Sequence, residues 1–148
     1  MKKFIVACVI IFIIAFISYA QNEMPKYEFK ATDGTLSSEG IFRDVTIEQA
    51  WRATKEVLIK NGLTITGLDK QSSTISAQKT QRKLKDLMQW PYNISLIFEE
   101  GNGEIDITAQ VEITKSTVSY SEEKLAHKEA KKIFDKIAEA LYGKEDKK

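Results

Sequence analysis

The chain has 148 residues, 29% charged and 43% hydrophobic, with a formal net charge of +1. That balance excludes a global electrostatic pull towards nucleic acid or anionic lipid, and the length suits one domain able to bury about two thirds of its unfolded surface. A single cysteine, Cys8, excludes an intrachain disulfide framework.

The N-terminus reads as an address. Met1-Lys2-Lys3 is a basic start, Phe4 to Ile17 is an unbroken apolar run, and Ser18-Tyr19-Ala20 sets small residues at the two positions a signal peptidase inspects. The run is shorter than the roughly 20 residues of a spanning helix. Residues 1–20 are therefore expected to be a signal peptide, and the mature protein to be periplasmic or secreted. An uncleaved N-terminal membrane anchor is the alternative. Ile5-Val6-Ala7-Cys8 looks like a lipoprotein box, but cutting there would leave Val9 to Ile17 as an apolar new N-terminus. Without Lys2 and Lys3 the balance falls from 22 basic and 21 acidic residues to 20 against 21, a net charge of −1.

Residues 21–40 carry Pro25, Thr32-Asp33-Gly34-Thr35 and Ser37-Ser38, which reads as a leader or tether. Within it Tyr27-Glu28-Phe29-Lys30-Ala31 alternates enough to pair as an edge strand. The domain proper is expected over 41–143, opening with a strand at Ile41 to Val45, and residues 144–148 form a charged tail. Thr46-Ile47-Glu48-Gln49 is a capping box. Behind it Ile47, Ala50, Trp51, Thr54, Val57 and Leu58 recur at helical spacing, and Asn61-Gly62 ends the helix. Leu63 to Thr66 and Thr74 to Ala77 then alternate with a period of two around a polar turn at Asp69 to Ser73.

A second hairpin follows. Ile94, Leu96 and Phe98 alternate, as do Ile105, Ile107, Ala109, Val111 and Ile113, with Gly101-Asn102 as the turn. Pairing Phe98 with Ile105 and Leu96 with Ile107 keeps the apolar faces together, whereas a one-residue slip turns Glu100 or Glu104 inward. A last helix starts at Ser119 or Ser121, lines up Ala126, Ala130, Ile133, Phe134, Ile137 and Leu141, and stops at Gly143. The expected class is α+β: an antiparallel sheet of four to five strands with two helices packed on one face, in the order β-α-β-β-β-β-α.

Phe42-Arg43-Asp44, Ala50-Trp51, Val57-Leu58, Asn61-Gly62-Leu63-Thr64-Ile65, Asp69-Lys70 and Thr74-Ile75-Ser76-Ala77 form a phrase spread over about 35 residues. It resembles the helix-grip domains of the C-subunit lipoprotein of the outer-membrane β-barrel assembly machinery, and related small envelope proteins of unknown role. The resemblance implies a helix-grip-like fold and residence in the cell envelope. Three departures stand out: no lipid-bearing cysteine at the mature N-terminus, one domain rather than two, and Ser73 where the turn often carries Gly.

Catalytic candidates are thin. His127, the only histidine, lies off the apolar stripe among Lys124, Lys128 and Lys131, and is expected to be solvated. It has no cysteine partner or metal-ligand spacing, so no catalytic residue, metal or cofactor is assigned. Glu104, Asp106 and Glu112 share one strand face, and the expected register sets Glu99 opposite Glu104. Facing carboxylates can raise a pKa or hold a hard cation, though alternation alone also turns charges to water. Asn93-Ile94-Ser95 matches the glycosylation triplet but falls at a strand start. The exposed sheet face is acidic and hydroxylic, so nucleic acid is not an expected partner.

The stretch Lys79 to Tyr92 stands apart. Lys79, Arg82, Lys83 and Lys85 outnumber Asp86, Leu84, Leu87 and Met88 share one helical face, and Trp90 and Tyr92 flank Pro91. A connection this long between neighbouring strands is uncommon unless it has a use. The plain reading is a cap over the open end of the core. The functional one is a contact surface made of Arg82, Lys83, Lys85, Leu87, Trp90 and Tyr92 for an envelope protein or a membrane surface. On this reading the chain is a non-enzymatic binding or adaptor domain of the bacterial cell envelope. The alternative is a carrier of a small apolar ligand, held between the C-terminal helix and the sheet by Trp51, Phe98 and Phe134, residues that also suit an ordinary core. The oligomeric state is left open.

Overall fold

The computed structural model of the chain describes residues 25–80, 91–114 and 122–143. Six strands and two helices follow one another: β1 (Tyr27–Ala31), β2 (Ser37–Arg43), α1 (Ile47–Lys60), β3 (Thr64–Asp69), β4 (Thr74–Lys79), β5 (Tyr92–Gly101), β6 (Glu104–Ile113) and α2 (Glu122–Tyr142). The strands form one antiparallel sheet in the order β1-β2-β6-β5-β4-β3. The class is α+β, as the sequence indicates, but the strand count is six rather than four to five. The order therefore opens β-β-α.

The extra strand has a packing reason. Tyr27 stacks on Phe42 with ring centroids 5.1 Å apart, and Phe29 lies 6.1 Å from Phe134. Its apolar alternates thus reach the core, while Arg43 on β2 holds β1 and the residue leading towards it through the Pro25 carbonyl at 2.6 Å and Glu28 at 3.4 Å. From Tyr27 onward the expected leader belongs to the sheet. The strand placed at Ile41 to Val45 begins earlier, at Ser37, and ends at Arg43.

α1 starts as the capping box requires. The Gln49 amide donates to Thr46 Oγ1 and the Thr46 amide to Gln49 Oε1. It ends at Gly62, whose φ of 75° lets the Leu63 amide return to the Leu58 carbonyl at 3.0 Å. The helix carries the chain from β2 to the far edge of the sheet, and a meander brings it back to β6. α2 then crosses β6, β2 and β1. Both helices seal one continuous core, in which Phe42, Leu58, Ile75, Leu96, Ile107, Phe134 and Ile137 are fully buried. Gly40 lets α2 approach: a Cβ there would sit 3.0 Å from the Phe134 ring.

One register differs from expectation. Phe98 pairs with Ile107 and Leu96 with Ala109, two residues from the expected pairing. The turn is the cause. Asn102 and Gly103, with φ of 53° and 79°, form the two-residue loop between the paired Gly101 and Glu104. Two positive φ values suit the right-handed twist of a hairpin, and Asn-Gly is the favoured pair for them. A two-residue shift preserves which face each side chain takes, so the apolar set stays inside.

Candidate functional site

The connection expected to carry a contact surface joins β4 to β5, which are neighbours in the sheet. Arg82, Lys83, Lys85, Leu87 and Trp90 lie outside the described residues. Its two ends are described: Lys79 closes β4, Tyr92 opens β5, and the two pair directly. Tyr92 corrects the sequence reading, because it is 2% exposed and points into the core rather than towards a partner. Alternation explains it, since Ile94, Leu96 and Phe98 share its side of β5. Burial raises its phenol pKa, helped by the charge and hydrogen bond of Glu129 on α2. The Lys79 ammonium sits 5.9 Å from the Tyr92 ring centroid, within cation–π range. Residues 80–91 thus leave and rejoin a fixed base.

The three aromatics proposed as ligand walls fall into two ring clusters. Trp51 packs against Phe98 with centroids 5.1 Å apart, whereas Phe134 packs edge-on against Phe42 at 6.2 Å. Phe98 and Phe134 belong to the closed core. A groove of about 300 Å³ lies elsewhere, between α1 and the last turn of α2. Its floor is Val45, Ala53 and Leu141, and its rims carry Lys26 and Arg52 against Asp44 and Glu56. The volume is at the lower end for small-molecule sites, and the mixed rim favours no single charge. Tyr142 bounds it, donating to the Lys26 and Arg43 carbonyls at 2.9 and 2.7 Å.

His127 is not solvated, contrary to the sequence reading. Its side chain is 14% exposed, with Nδ1 2.7 Å from Ser38 Oγ. Nε2 is buried and lies 3.8 Å from Glu123 Oε1, which also accepts the Gly34 amide at 3.0 Å. Position 127 borders the Ala126–Ala130 stripe, and the small Ser38 of β2 leaves room for its ring. A Ser-His-Glu contact has the ingredients of an activated nucleophile. Ser38, however, is 1% exposed, so the contact joins α2 to β2 and the β1–β2 turn and presents no hydroxyl to a substrate.

The acidic face is also rearranged. The two-residue register shift sets Glu99 beside Asp106 rather than Glu104. Glu104 instead receives Arg43 Nε at 2.7 Å. Among the described residues no group of three or more His, Cys, Asp or Glu side chains is placed to hold a metal ion.

No family model matches the sequence, and no curated protein matches it significantly. A solved structure, CalU16 from Micromonospora echinospora, superposes with a TM-score of 0.47 at 9% identity, covering 82% of this chain and 86% of that one. Likeness at that level carries no functional argument.

Proposed function

We propose that the chain is an exported, non-enzymatic binding domain of the bacterial cell envelope that engages a protein or membrane partner through residues 80–91. The observation that carries this reading is the fixed base: paired Lys79 and Tyr92, with the Tyr92 phenol held by Glu129 under α2. Because that base is fixed in the fold, a contact made by the basic, aromatic segment between its ends need not loosen the core. Two further features support it. The polar pair most like a nucleophile and base, Ser38 and His127, is spent inside the fold. The rings proposed to line a ligand chamber pack in closed clusters, which favours the binding reading over the carrier one.

Reversing three charges together, Arg82→Glu, Lys83→Glu and Lys85→Glu, tests it. The thermal midpoint of the variant is measured alongside, so that a loss of contact is distinguished from a loss of folding. Recovery of the envelope partner by co-purification, or retention on vesicles containing anionic lipid, should fall at least tenfold. Unchanged recovery in both assays counts against the surface.

A further inference from the structure

The chain contains two Asn-Gly dipeptides, Asn61-Gly62 and Asn102-Gly103. In such a pair the main-chain nitrogen of the glycine can attack the asparagine side-chain carbon Cγ, because the glycine has no Cβ to obstruct it. The reaction needs a free glycine N–H, a side-chain amide without partners, and access for water. The two sites differ in these respects. At Asn61 the groups are engaged. The Gly62 amide donates to the Ile59 carbonyl at 3.0 Å, Asn61 Nδ2 donates to the Val57 carbonyl at 2.7 Å, and Oδ1 accepts from the Lys136 ammonium. Both ends of the side chain are thus fixed where α1 meets α2. Asn102 and Gly103 are instead exposed, and a Cβ on Gly103 would meet nothing within 4 Å. Among the described residues neither the Gly103 amide nor the Asn102 side chain has a hydrogen-bond partner.

We propose that Asn102 is a site of spontaneous deamidation in the folded protein, and that Asn61 is protected from it. Water is the only co-reactant. The Gly103 nitrogen bonds to Asn102 Cγ, its proton passes to the departing side-chain nitrogen, and ammonia leaves as a five-membered imide closes. Reaching Cγ requires the peptide after Asn102 to rotate, and Gly101 and Gly103 on either side lower the cost of that rotation. Water then opens the imide at one of its two carbonyls. Breaking the bond from the Gly103 nitrogen to Cγ leaves aspartate at position 102. Breaking its bond to the main-chain carbonyl carbon leaves isoaspartate, with the chain running through Cγ. Asn102 holds a φ of 53°, which aspartate also tolerates, so that product keeps the loop and adds a charge two residues from Glu100 and Glu104. Isoaspartate adds one atom to the main chain of the two-residue loop that pairs Gly101 with Glu104. The modification therefore falls on the turn that decides the β5–β6 register. It does not rest on the role assigned to residues 80–91.

Incubation of the full chain in mildly alkaline buffer, followed by peptide mapping with mass spectrometry, tests it. In the folded chain position 102 should gain one mass unit at least tenfold faster than position 61. In urea the two rates should come within threefold, because the dipeptide is the same. Hydroxylamine, which cleaves the imide, should cut the folded chain between Asn102 and Gly103 and leave Asn61-Gly62 intact. The isoaspartate form, separated by chromatography, should have a lower thermal midpoint than the unmodified chain. No conversion at position 102 in the folded chain overturns the proposal, and so does equal conversion at Asn61. A tenfold difference that persists in urea overturns it as well, since the fold would then not be its cause. An isoaspartate form as stable as the unmodified chain overturns the link to the register.

Discussion

Ser73 holds a φ of 50° in the turn from β3 to β4. In that left-handed region a side chain crowds the following carbonyl, at a cost of roughly 1–2 kcal/mol that glycine avoids. Part of the gain is returned because glycine also frees the unfolded chain. Ser73→Gly is therefore expected to stabilise the protein by about 0.5–1 kcal/mol, read as a higher urea midpoint with an unchanged slope. An equal or lower midpoint means that the turn is held by something other than backbone strain. Buried phenols link the fold to alkaline pH. Burial raises the phenol pKa of both Tyr27 and Tyr92, with Asp135 and Glu129 adding to the effect. Both must be neutral in the fold, so their contribution is complete below the unfolded tyrosine value of about 10 and is lost progressively above it. Unfolding followed from pH 9 upward should be steeper for the natural chain than for the Tyr27→Phe, Tyr92→Phe pair. Matching slopes would show that neither phenol is linked to folding.

At the scale of elements, α1 is the most self-sufficient piece: its start, buried face and stop each follow from local residues. Thr46→Ala removes one side of the capping box and should cost about 1 kcal/mol, measured by denaturant unfolding. A cost near zero would mean that the amides at the helix start are satisfied elsewhere. The same local logic made α1, the β3–β4 hairpin, the faces of β5 and β6, and the stripe of α2 legible in the sequence. Features set by long-range packing were harder to read. The alternation of Tyr27 to Ala31 marked an edge strand inside the expected leader, and β1 is that strand, but that it docks on the core depends on Phe42 and Phe134, which give Tyr27 and Phe29 a place to go. The β5–β6 register was misplaced by two because either pairing buries the same residues, and the backbone of Asn102-Gly103 decides between them. Of the site residues, Tyr92 needed its inward alternation taken at face value. His127 needed the small Ser38 of β2 beside it, which no helical pattern reveals.

For the molecule as a whole, stability rests on one core. Both helices and the inward strand residues form it, while the outward sheet face lies outside it. Among the described residues no helix is long and apolar enough to cross a membrane. The proposed role turns on whether the connection between β4 and β5 touches a partner where the protein resides. A photocrosslinking residue in place of Trp90, activated in living cells, measures this most directly. The expected result is a discrete, higher-mass adduct that disappears when Arg82, Lys83 and Lys85 are reversed to Glu. No adduct, or one that persists through the charge reversal, contradicts it.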